Sequence, residues 1–217
     1  MRTDIPESRR QRERQARRQL VLDRARRLFA KEGPENASME DIATAADYTR
    51  RTLYSYFKSA DEIRLLVATE DLRTRWVLQQ QRIADVDTGL AKLIAWAEAL
   101  YDFSKANPQA AQLQAYWDYR GLDRKHVSRE SFKAFVEIND ELADGLRAIF
   151  QLGIQDESMR SDLQVDMSIS QFLHSLRSVI HRALSSTYSF ASFDPDEYVQ
   201  HFLDLFSRAI RNPEGQS

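Results

Sequence analysis

The sequence predicts an all-α chain in which a small N-terminal helix-turn-helix module precedes a larger helical bundle. Three observations carry this expectation. Only six glycines and five prolines punctuate 217 residues. Apolar residues recur at helical spacing, without the alternation that marks strands. The charge is also divided: residues 1–60 hold 14 Arg or Lys against 9 Asp or Glu, and the remainder holds 17 against 24. A basic head on an acidic body suits a protein that touches a polyanion with one end.

The elements follow in order. Val21, Ala25, Leu28 and Phe29 form the inner stripe of a first helix, which Gly33-Pro34 stops with one residue free to turn left-handed and one unable to continue. Ser38 offers an N-cap with Asp41 three positions on, and Met39, Ile42, Ala43 and Ala46 line a short second helix. Asp47-Tyr48 breaks it, Thr49 caps a third helix, and Leu53 with Phe57 gives that helix an inward pair. Ser59 and Glu62 form a capping box for a fourth. Further helices are expected over 59–82, 88–106, 108–120, 128–153, 166–187 and 195–211, with Gly121 and Gly153 as stops and Asp194-Pro195-x-Glu197 as a start signal. The domain division is then a basic arm over 1–14, a DNA-binding module over 15–60 and a bundle over 61–217.

Several functions are excluded or disfavoured. No cysteine is present, so disulfides and thiolate metal sites are unavailable. The basic N-terminus is followed by no apolar stretch of the kind a secretory signal has, and no run is long enough to span a bilayer, which predicts a cytoplasmic protein without membrane contact. Gly-rich phosphate loops, His-Glu-x-x-His pairs and other catalytic or cofactor motifs are lacking, so neither an enzyme nor a cofactor is expected. His174 and His181 share a helix face, but no carboxylate lies at metal-site spacing.

The short third helix is the most informative stretch. With Leu53 and Phe57 facing the core, Thr49, Arg50, Arg51, Ser55 and Tyr56 lie outward, with Tyr54 at the margin. Singly, Arg50 and Arg51 read equally well as solvated charges and Tyr54 as packing against the first helix. On one short helix after a turn they suit the DNA major groove, where Arg bonds guanine edges and hydroxyls reach phosphates.

Residues 24–63, "RARRLFAKEGPENASMEDIATAADYTRRTLYSYFKSADEI", are similar to the tetracycline-repressor (TetR) family of bacterial transcription regulators. The Phe-Ala-x-x-Gly helix end, the Ile-Ala pair and Thr-Leu-Tyr-x-x-Phe-Lys-Ser carry the resemblance. It implies a homodimeric repressor on a palindromic double-stranded operator, with a C-terminal domain that holds a small-molecule effector and the dimer contact. Phosphate roles fall by resemblance on Thr52 and Tyr56, and groove-facing roles on Arg50, Arg51, Tyr54 and Ser55. Ser38, Thr49 and Lys58 complete the expected DNA-binding set. Departures from the usual pattern are Asp47 and Arg51 where Gly is common, Tyr56 where His is frequent, and Ala60 where Lys is frequent.

In the bundle, aromatic residues accompanied by a few polar groups nominate an effector site of Trp96, Tyr101, Trp117, Arg120, Phe135, Glu137 and His174. Ordinary core packing explains any one of these aromatics. An apolar or aromatic ligand there is expected to release the protein from DNA, and Trp117→Ala to blunt that response without affecting ligand-free DNA binding. The alternative is a DNA-bound regulator whose bundle binds a protein partner. A buried cavity with polar groups distinguishes the first reading, and a flat exposed apolar patch the second.

Overall fold

The computed structural model describes residues 9–185 and 193–213, and these contain helices and no strand, apart from one isolated bridge between Met159 and Arg211. In chain order the helices are α1 (Arg9–Glu32), α2 (Met39–Ala45), α3 (Arg50–Tyr54), α4 (Ala60–Ile83), α5 (Gly89–Ala106), α6 (Pro108–Arg120), α7 (Arg129–Gln155), α8 (Val165–Leu184) and α9 (Pro195–Ile210), with a 3-10 turn at Arg124–His126. The chain forms two compact units. The first holds residues up to Thr69 together with Gln112–Phe135, and the second holds Glu70–Ala111 and the chain from Val136 onward.

In the first unit, Val21, Ala25 and Phe29 of α1 pack on Ile42 and Ala43 of α2, on Leu53 and Phe57, and on Ile63 and Val67 of α4. Leu113 of α6 joins this core, and Tyr116 and Trp117 pack against it. Local chemistry sets the turns. Gly33 stands at φ 86 and donates its N–H to Phe29 O at 3.0 Å, closing α1. Asp47 takes φ 57 between α2 and α3, the left-handed conformation that Asp tolerates better than most residues. The helix α1 reaches back to Arg9, so the C-terminal part of the stretch expected to be an arm is helical; residues 1–8 lie outside the described part.

The start of α4 departs from the simple box. Ser59 Oγ accepts from the Glu62 N–H at 3.0 Å, but the Glu62 carboxylate accepts from the Lys58 N–H, from the Ser128 N–H at 3.3 Å and from Ser131 Oγ at 2.6 Å. Burial alone would push this carboxyl up. The Ser128 and Ser131 hydroxyls and the two backbone N–H groups outweigh that effect and hold it below the usual carboxylate range. A folded pKa below the unfolded value gives stability that is complete above about pH 4.3 and is lost as pH falls through the folded pKa. Glu62→Gln places an NH2 among donors and is expected to cost about 2 kcal/mol at neutral pH. In acid melts the gap to wild type should close, and a gap unchanged down to pH 3 removes the charge from the account.

The second unit is layered around Leu93, Trp96 and Leu100 of α5, Ile138, Leu142, Leu146 and Ile149 of α7, and Ile169, Phe172, Leu176 and Ile180 of α8. The Phe172 ring lies 6.3 Å from Trp96 and 4.8 Å from Phe206. One sequence expectation is corrected here. Gly153 does not stop a helix; α7 runs on to Gln155, and Gly153 serves close approach, since a Cβ on Gly89 would stand 2.1 Å from its nitrogen. In α9 the buried stripe is Val199, Leu203, Ser207 and Ile210, whereas Tyr198, Phe202 and Phe206 are half-buried and Leu205 is exposed. The helix is apolar over a wide arc, and the neighbouring stripe faces the core. At its start Asp194 Oδ1 accepts from the N–H groups of Asp196 at 2.9 Å and Glu197 at 3.1 Å, with Pro195 in the first turn.

Candidate DNA-binding site

Two caps position the reading helix. Ser38 Oγ accepts from the Asp41 N–H at 3.3 Å while the Ser38 N–H donates to Asp41 Oδ2 at 2.9 Å, the reciprocal box that starts α2. The Ser38 hydroxyl also draws the Asp41 carboxyl below its ordinary value. Thr49 Oγ1 accepts from the Thr52 N–H at 3.1 Å and lies 2.8 Å from Thr52 Oγ1, so both threonine side chains are ordered at the start of α3. With Leu53 and Phe57 buried, five residues of helix are held by one cap and two apolar anchors.

This leaves Arg50, Arg51 and Tyr54 of α3, and Ser55 at its C-cap, exposed. Arg50 lies over the Tyr54 ring at 5.6 Å, and the hydrogen bond to that tyrosine raises the guanidinium pKa further, so the charge is permanent. Ser55 Oγ donates to Thr52 O at 2.6 Å. The tyrosines exchange the places expected of them: Tyr54 is 47% exposed, and Tyr56 is half-buried with its ring 6.3 Å from that of Tyr48. The reason is that α3 ends at Tyr54, and the chain turns before Tyr56. Lys58 is exposed, with Nζ 3.5 Å from Val127 O.

The sequence offers Arg9, Arg10, Arg12 and Arg14 of the basic arm for minor-groove or phosphate contacts, with a solvated arm as the simpler reading; what it did not reveal is that α1 side chains support the end of α3. Arg18 donates to Tyr56 O and lies over the Phe57 ring at 4.6 Å, while Arg14 donates to Ser55 O at 3.4 Å and lies over the Tyr56 ring at 5.7 Å. Both cations meet carbonyls at the C-terminal end of α3, where the helix dipole favours positive charge. The available signal was the recurrence of Arg10, Arg14, Arg17 and Arg18 on one helix face.

The seven effector candidates are divided between the units. Trp117, Arg120 and Phe135 belong to the first, where Trp117 packs on the DNA-binding core and Arg120 lies 4.0 Å from Asp61. Truncating Trp117 would therefore loosen the DNA-binding unit itself, and it is no longer a probe of ligand response alone. Trp96, Tyr101, Glu137 and His174 belong to the second unit. Trp96 is buried there; Tyr101 is buried too, and its hydroxyl donates to Asp196 Oδ1 at 2.7 Å. Burial, then that carboxylate, pushes the Tyr101 phenol up. Glu137 and His174 are exposed. Buried Gln79, on α4, donates from Nε2 to Trp96 O at 3.3 Å, whereas Gln79 Oε1 and Trp96 Nε1 have no hydrogen-bond partner. Among the described residues no group of three or more His, Cys, Asp or Glu is placed to hold a metal, and no helix is long and apolar enough to cross a membrane.

A capped three-helix core with a short, polar-faced second reading helix is the architecture of a helix-turn-helix DNA-binding protein. Residues 21–67 match the model of the bacterial regulatory proteins of the tetR family. The chain is 30% identical over 153 residues to the transcriptional repressor KstR2 of Mycolicibacterium smegmatis and 29% identical over 156 residues to KstR2 of Rhodococcus jostii, in both cases covering 70% of this chain and 72% of the relative. The fold is also similar to that of the ketosteroid transcriptional regulator KstR2 of Mycobacterium tuberculosis, with a TM-score of 0.65 and 18% identity over 90% of this chain and 95% of that one. The chain belongs to the tetR family and is a DNA-binding transcriptional regulator of the repressor type, not an enzyme.

Proposed function

We propose that the protein represses transcription as a homodimer on a two-fold symmetric operator and is released by a small, largely apolar ligand. The observation that carries the DNA reading is α3, whose Arg50, Arg51, Tyr54 and Ser55 are presented to solvent on a helix fixed by Thr49, Leu53 and Phe57. Thr52 and Tyr56 hold backbone phosphates in this reading, and Ser38 and Lys58 lie at its edge. Dimerisation is supported by apolar surface left on the last two helices, with Met167 57% and Leu205 54% exposed beside half-buried Leu173, Phe202 and Phe206. Ligand release is supported by the second unit, where Gln79 offers a buried acceptor and Trp96 a buried donor within apolar packing. A ligand with a hydroxyl or carbonyl on an apolar frame matches that chemistry, and ketosteroids, for which a similar regulator is named, head the class to screen.

Selection from a random duplex library tests the reading. A two-fold symmetric motif is expected, bound by a particle of twice 25.2 kDa in light scattering. Substituting Arg50 or Arg51 by Ala is expected to cost about 1–3 kcal/mol on that motif if the residue makes a bidentate base contact. An asymmetric motif bound by a monomer overturns the dimer, and no enriched motif overturns the operator.

A further inference from the structure

Arg120 does not have the surroundings of an effector-binding group. It ends α6, where Gly121 turns left-handed at φ 68 and donates its N–H to Trp117 O at 3.0 Å, so the base of the side chain is fixed. The exposed guanidinium lies 5.6 Å from the centre of the Tyr116 ring, and that of Arg64 lies 5.4 Å from the same ring. The acid both could use is Asp61. Its carboxylate accepts from Arg64 at 2.7 Å and from the Tyr116 hydroxyl at 3.3 Å, which leaves Arg120 a long approach of 4.0 Å. Two guanidiniums thus share one carboxylate, an excess of one positive charge that a second anion would balance.

That charge belongs to an open groove whose lining includes Glu35, Ser38, Tyr54, Ser59, Arg64 and Arg120. The groove brings together the cap of α2, the end of α3 and the start of α4. Arg64 is 6% exposed and committed to Pro34 O, Ala37 O and Asp61, so Arg120 is the guanidinium with donors to offer an outside anion. Ser38 and Tyr54 are exposed there, and both belong to the side of the unit that meets DNA in the reading above. The Glu35 carboxylate folds towards Gly33, where a Cβ would stand 2.8 Å from its Oε1. A guanidinium anchored at a helix end beside a base-reading helix suits a phosphate of the DNA strand that crosses the groove.

We propose that α6 contributes a DNA contact, in which Arg120 holds a backbone phosphate of the operator in the groove between the start of α2 and the end of α3. The contact rests on the DNA-binding reading above, comes from outside residues 21–67, and adds affinity without reading sequence. Arg120 thereby belongs to the DNA side of the molecule and not to an effector site. Each phosphate neutralised in this way releases condensed counterions and steepens the salt dependence of binding by about 0.9 in log–log slope.

The test is a salt series on the full chain, read by fluorescence anisotropy with the selected operator and with a mixed-sequence duplex. Arg120→Gln changes an exposed position and is expected to lower the slope by about 0.9 for each bound chain, weakening both duplexes by the same factor. Arg120→Lys keeps the charge and is expected to keep the slope. Glu35→Gln removes a negative charge from the groove and is expected to tighten binding, a gain that loss of folding cannot mimic. Duplexes with single phosphates replaced by uncharged methylphosphonates locate the contact: at one position in each half-site the replacement should weaken wild type and leave Arg120→Gln unaffected. The absence of any such position overturns the proposal. So does an unchanged slope in Arg120→Gln, because weaker binding at constant slope assigns the residue to support of Asp61 alone. If wild type binds no duplex, the operator reading fails and the contact with it; if wild type binds and only the Arg120 tests fail, the operator is held without α6.

Discussion

Arg64→Ala is expected to lower stability by about 3–4 kcal/mol, with a fall in melting temperature on the order of 10 °C. The guanidinium is 6% exposed and satisfies three acceptors at once: Nε donates to Pro34 O at 2.6 Å, one terminal nitrogen to Ala37 O, and the other to Asp61 Oδ1 at 2.7 Å. Removing it leaves two carbonyls without this donor and the largely buried Asp61 carboxylate with only the Tyr116 hydroxyl at 3.3 Å and Arg120 at 4.0 Å, and it empties the space over the Phe29 and Tyr116 rings. Because the Pro34–Ala37 segment leads directly into the Ser38 cap, operator affinity should fall together with stability. Arg64→Lys separates shape from charge. A single ammonium cannot span three divergent acceptors, so a cost of about 2 kcal/mol is expected to remain. Thermal and urea denaturation measure both, and a cost below 1 kcal/mol for Arg64→Ala would show that water replaces the guanidinium.

Gly89→Ala is the second large effect, at about 3 kcal/mol or more, and it arises from overpacking. The added Cβ would stand 2.1 Å from Gly153 N, 2.3 Å from Gly153 Cα and 2.7 Å from Ile149 O. All three are backbone atoms of α7, so no side chain can swing aside and the two helices must part. Separation would also stretch the bonds from Gly89 N–H to Asp156 Oδ2 at 2.7 Å and from Leu90 N–H to Ser158 Oγ at 3.0 Å. Gly153→Ala gives the contrast. The three atoms nearest its Cβ all belong to the buried Met159 side chain, at 2.6–2.9 Å, and because a side chain can repack where backbone cannot, the cost should be smaller than for Gly89→Ala. Equal melting temperatures for the two variants would contradict the account.

What was legible in the sequence was local chemistry. Ser38, Thr49 and Asp194 cap helices because a short side-chain oxygen reaches N–H groups two or three residues ahead, a distance fixed by the backbone. Gly33 and Asp47 were legible for the same reason, since a left-handed turn restricts which residues fit. Partners distant in sequence were not. Glu62 meets Ser128 and Ser131 only once the fold brings them together, so its carboxylate could not be followed beyond the local box. In α9 two neighbouring apolar stripes have equal claim to the core, and only packing chooses between them. The helical start of α1 carries no apolar period, so the pattern that revealed the other helices was silent there.

The first unit is discontinuous in sequence, being completed by Gln112–Phe135. During synthesis, therefore, the reading helix leaves the ribosome long before its support exists. Leu113, Tyr116 and Trp117 must emerge before the core closes, and Ser128 and Ser131 before Glu62 is satisfied. A nascent or prematurely terminated chain ending near Thr69 holds α1 to α3 and most of their core but lacks Leu113, Tyr116 and Trp117. Products that stop there are expected to melt at a lower temperature than the completed unit and to hold an operator less tightly.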